Sequence, residues 1–91
     1  MKVLCKEVDV IVFISKDGKM KPLRIRLSNE EEEEQVIKIN NILKIESEKL
    51  AGNRMEKYTC CSVIRNTSRV FELKYELDTH KWYLYLSLIH I

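Results

Sequence analysis

Apolar residues fall at every second position through most of the chain, the period of a β-strand whose side chains alternate between two faces. Val8, Val10, Val12 and Ile14 form one such set, and Ile11 and Phe13 fill the other parity. This predicts a strand buried on both faces toward its far end. Ser15-Lys16-Asp17-Gly18-Lys19 follows with the Asp-Gly signal of a hairpin turn, where glycine accepts positive φ. The next strand reads Leu23, Ile25 and Leu27 inward with Arg24 and Arg26 outward, and Pro22 places its start at an edge or a bulge. Beyond Gly52-Asn53, a strand is expected over Met55–Arg65, a turn at Asn66-Thr67-Ser68, and a one-sided strand through Phe71, Leu73, Tyr75 and Leu77. Asp78-Thr79-His80-Lys81 then closes a hairpin that sets Leu77 against Trp82 and Tyr75 against Leu84.

Ser28–Gly52 reads two ways. A cap at Ser28 or Asn29, glutamates through a first turn and Gly52 past the end favour a helix over 30–51. On that helix Val36, Ile39, Leu43 and Leu50 share a face. Ile37 and Ile45 lie opposite them, and Asn40-Asn41 falls in the middle, which argues for strands instead. In the strand reading the glutamates form a solvated loop, Ile37 shares a face with Ile39, and Leu43 with Ile45. The expected fold is all-β: about six antiparallel strands in sequential hairpins, curled into a small SH3-like or OB-like barrel, with the 30–51 helix as the alternative. Its expected core draws on Val10, Val12, Ile14, Leu23, Ile25, Ile39, Phe71, Leu73, Tyr75, Leu77, Trp82 and Leu84.

Composition narrows the function. Ninety-one residues, 45% hydrophobic and 33% charged, make one domain with one core. No run reaches the roughly 18 apolar residues of a membrane span, and Met1–Lys6 is too polar for a signal peptide, so a cytoplasmic location is expected. Cys5, Cys60 and Cys61 are an odd set without framework spacing, and read as buried reduced thiols in strands. No four-ligand zinc spacing, glycine-rich phosphate loop or EF-hand pattern occurs, so neither metal nor cofactor is expected. His80 sits in a turn with no carboxylate fixed beside it except Asp78 of the same loop, so no catalytic residue is assigned and no enzyme is expected. The net charge of +2 divides into +4 over residues 1–29, −5 across Glu30–Glu34 and +3 over residues 35–91.

The remaining functional signal is a basic, aromatic-bearing sheet face. Lys16, Lys19, Lys21, Arg24 and Arg26 cluster in the first hairpin, and Tyr83 and Tyr85 point outward from the last strand. Such a face can neutralise phosphates and stack bases, although a charge of +2 is low for a nucleic-acid binder. The same residues also serve to solvate and protect a sheet edge. The expected function is therefore a non-catalytic interaction or accessory module that meets a protein partner through an exposed edge strand. A weak nucleic-acid-binding barrel is the alternative.

Asp17-Gly18, Pro22–Arg26, Val36–Ile39, Lys49–Gly52, Tyr58-Thr59-Cys60, Leu73–Leu77 and Trp82–Leu84 together resemble a group of small uncharacterised proteins of Gram-positive anaerobic bacteria. The resemblance spans Val8 to Leu84. It implies that the glutamate-rich segment is a variable loop, which favours strands over a helix within Ser28–Gly52, and it implies no activity. Leu86–Ile91 reads as the translation of a sequencing-library transposon adapter. The domain is accordingly expected to span residues 1–85, with 86–91 a non-native tail, and His90 is given no role.

Overall fold

The computed structural model describes residues 3–28 and 34–87. All regular structure among these residues is β: β1 (Val3–Ile14), β2 (Met20–Ser28), β3 (Glu34–Lys38), β4 (Asn41–Leu50), β5 (Asn53–Ile64), β6 (Thr67–Glu76) and β7 (Lys81–Ser87). They form one antiparallel sheet in the order β3-β2-β1-β7-β6-β5-β4, curled into a half-barrel. The helix alternative is overturned, because β3 and β4 occupy that stretch. Its β-branched Val36, Ile37, Ile39, Ile42 and Ile45 suit a pleated surface better than a helix. Of the acidic run, Glu30–Glu33 lie outside the described residues, as do Leu88–Ile91 of the expected tail. Leu86 and Ser87 continue β7 opposite Leu4 and Val3.

The curl follows from the chain path. β3 and β4 are consecutive, yet they stand at opposite ends of the strand order. Only Ile39-Asn40 joins them. The Ile39 amide donates to the Leu23 carbonyl at 2.9 Å, and the Asn40 amide to the Cys61 carbonyl at 3.0 Å. The Asn40 side-chain Oδ1 also accepts from the Val63 amide at 2.9 Å. One nearly continuous strand thus changes partner from β2 to β5 and draws the two ends of the sheet together.

Inside the curl, Val8, Ile25, Ile39, Tyr58, Cys60, Phe71, Leu73, Trp82 and Leu84 form the core, with Val10, Val12, Met20, Leu27, Ile42 and Tyr75 packed around it. Trp82 lies 5.5 Å from Tyr58 and 4.8 Å from Tyr75 between ring centroids, both tilted, within the range of favourable aromatic pairs. Two expected core residues are instead on the surface: Ile14 is 62% exposed and Leu23 36%. A bulge explains Leu23. Ile11 pairs with Arg24 while Val12 pairs with Pro22, so Leu23 is the extra residue and Pro22 takes the buried place. The far end of β1 is likewise not buried on both faces, since Ile11 and Phe13 are exposed.

The hairpin register also differs from expectation. Tyr75 pairs with Trp82 and Leu73 with Leu84, while Glu76 pairs with Lys81. The loop is therefore Leu77–His80, closed by the His80 amide donating to the Glu76 carbonyl at 2.9 Å. The β5–β6 turn is Arg65-Asn66, one residue before the expected start. Like Ala51-Gly52, it has both central residues at positive φ, the requirement of a two-residue type I′ hairpin.

Candidate binding cleft

The partner change at Ile39-Asn40 leaves a gap. β3 reaches β2 only from Arg24 onward, so before Leu23 no described strand lies on that side of β2. Across the gap stands β4, which among the described strands pairs with β5 alone. Between them lies an apolar cleft of about 960 Å³, within the size range of ligand sites. The first hairpin contributes Phe13 and Met20 to one wall, and β4 contributes Ile42, Leu43 and Ile45 to the other. Tyr58, Tyr75 and Leu77 also line it. Phe13, Leu43 and Ile45 are 56%, 58% and 57% exposed, an unusual concentration of large apolar side chains around one opening. A second bulge places Leu43 there, because Ile42 pairs with Cys60 and Lys44 with Thr59.

Polar groups sit in and around this cleft. The Tyr58 hydroxyl donates to Glu56 Oε2 at 2.9 Å. Burial, and then this bond, push the Tyr58 phenol well above its ordinary range. Tyr75 shares a 2.6 Å hydrogen bond with His80 Nδ1. Lys19, Lys21 and Lys44 also line the cleft. Lys19 lies 4.0 Å from Asp17 and Lys44 lies 3.4 Å from Glu46, in exposed ion pairs. Ser15 donates to Asp17 in the turn, holding the Asp17 carboxyl below its usual value.

The seven residues singled out from sequence do not make one surface. Lys19 and Lys21 belong to the cleft, and Lys16 is exposed in the same loop. Arg24 and Arg26 are exposed on β2, two strands from Tyr83 and Tyr85 on β7, with β1 between them. That strand sets Asp9 opposite Arg26, Glu7 opposite Tyr83 and Cys5 opposite Tyr85. Arg26 engages Asp9 Oδ2 through Nε at 3.1 Å and Nη2 at 2.6 Å, and Lys81 reaches Glu7 at 3.3 Å. Lys74 Nζ stands 4.4 Å from the centroid of the Tyr85 ring. A bond with the Cys5 thiol, with burial next, raises the Tyr85 phenol to about 12.

Sequence reasoning missed the charge network on the outer face. Lys57 lies 3.4 Å from Glu46, 3.7 Å from Glu48 and 3.4 Å from Glu72. The buried Lys74 meets Glu48 at 2.7 Å, and that bond holds the Glu48 carboxyl below its usual value. The signal is present in the alternation Glu46, Glu48 against Lys57 and Glu72, Lys74, but pairing them requires the register. The thiols divide as well. Cys60 is buried, Cys61 half-buried and Cys5 exposed, which corrects the expectation of three buried thiols: outward positions on β1 and β5 face a less covered side.

Among the described residues, no group of three or more His, Cys, Asp or Glu side chains is placed to hold a metal ion. No described helix is long and apolar enough to cross a membrane. Compared with family models, curated proteins and solved structures, the chain matches none.

Proposed function

We propose that this protein is a non-catalytic interaction module that takes an extended segment of a protein partner along the open side of β4. The observation that carries this reading is the position of that side: among the described strands β4 ends the sheet, and it borders the apolar cleft. A terminal strand offers backbone N–H and C=O groups with no strand to receive them, a ready template for an added strand. Leu43 and Ile45 supply exposed apolar contacts, and the cleft supplies room for alternate side chains. A binder of single-stranded nucleic acid through Arg24, Arg26, Tyr83 and Tyr85 is less favoured, because Glu7 and Asp9 stand between the arginines and the rings.

The test uses a short neutral peptide of alternating serine and valine. Hydrogen exchange of the whole protein should slow over Asn41–Leu50 when the peptide is added, with smaller changes in the central strands. Leu43→Thr and Ile45→Thr place β-branched side chains there while removing apolar surface, and should weaken that protection severalfold. Unchanged exchange in β4 at saturating peptide would overturn the reading.

A further inference from the structure

The cleft combines features that restrict what can enter it. Its lining is apolar and aromatic, through Met20, Tyr58, Tyr75 and Leu77, and its lining cations are Lys19, Lys21 and Lys44. The one acid in the lining, Glu56, accepts the Tyr58 hydroxyl. Asp17 and Glu46 touch Lys19 and Lys44 only as exposed pairs at 4.0 and 3.4 Å, which an incoming carboxylate can replace at little cost. Lys21 is exposed. The side of β4 that no described strand pairs with selects an extended backbone rather than a compact solute. In an extended chain, alternate side chains point to opposite faces, so one set can enter the apolar lining while the other meets the lysines.

We propose that the segment this cleft takes is acidic: a stretch of a partner protein in which Glu or Asp alternates with Val, Ile or Leu. This rests on the edge-strand reading above and adds the charge of the partner. Attraction between the lysines and the segment's carboxylates aligns it along β4 and disfavours basic strands, so charge supplies selectivity while the backbone and apolar contacts supply adhesion.

Three labelled peptides decide the matter by fluorescence anisotropy with the full chain: alternating Glu-Val, Ser-Val and Lys-Val. The expected order is Glu-Val tightest, by about tenfold over Ser-Val from two to three exposed pairs, with Lys-Val weakest. Raising the salt should collapse that difference, and Lys19→Glu with Lys21→Glu should invert the order. Leu43→Thr and Ile45→Thr should weaken all three peptides alike. Equal binding of Glu-Val and Ser-Val, still weakened by Ile45→Thr, would overturn the acidic partner and leave the edge-strand reading standing. No binding of any peptide would overturn both. Self-association on sedimentation, abolished by Ile45→Thr, would give the edge to a second copy of this chain and overturn the proposal.

Discussion

Cys60 is fully buried, with its Sγ 3.5 Å from the Tyr58 carbonyl. Removal from water penalises the thiolate and lifts the thiol from 9.0 to about 12. Below pH 9 both the folded and the unfolded chain hold the proton. Between 9 and 12 the unfolded chain releases it and the folded chain does not, so stability falls as pH rises through that window. Tyr58, also raised, acts in the same direction above pH 10. Urea midpoints measured from pH 7 to 10.5 should decline with a slope of at most about 1.4 kcal/mol per pH unit for each group. Cys60→Val should flatten the onset near pH 9, and an unchanged alkaline slope in that variant would sink the assignment. The alternation of Tyr58, Cys60 and Ser62 is readable as one strand face. Which of three cysteines lies inside is not, because that depends on how the sheet curls over β5.

At the scale of elements, the turns show where local sequence and local geometry disagree. Arg65 sits at φ 51° and Asn66 at φ 63°, a left-handed pair that suits asparagine and strains arginine. Arg65→Asn should therefore raise the thermal midpoint, by the equivalent of about 0.5–1 kcal/mol, whereas Arg65→Val should lower it. The opposite order in differential scanning calorimetry would show that the turn is held by something other than backbone preference. This mismatch explains why sequence places the turn one residue later: Asn66-Thr67-Ser68 carries the turn-forming side chains, yet the hairpin closes between Ile64 and Thr67. The same limit applies to the last hairpin. Alternation along β6 and β7 identifies their inward faces, but a register moved by two residues preserves every face and changes every partner. The pairing of Lys57 and Lys74 with Glu46, Glu48 and Glu72 is hidden for that reason.

For the molecule as a whole, the all-β character is legible because period-two patterning covers nearly every segment. The cleft is not. It is made by a chain that leaves β2 and joins β5 across Ile39-Asn40, and nothing local distinguishes that bend from an ordinary loop. Lys19 and Lys21 are plainly basic in the sequence, but their place beside Leu43 and Ile45 is a product of the curl. The strand order carries one more consequence, for the time course of folding. β4 to β7 are joined by successive short hairpins, whereas β1 meets β7 only when Val3–Val8 pairs with Trp82–Ser87, nearly a full chain length away. Closing so long a loop is slow, and local hairpins precede it. Substitutions in the β5–β6 hairpin should therefore slow refolding, while those at the β1–β7 junction should mainly quicken unfolding, a division that stopped-flow kinetics in urea can read. On the ribosome, β1 is made before β7 and must wait for it.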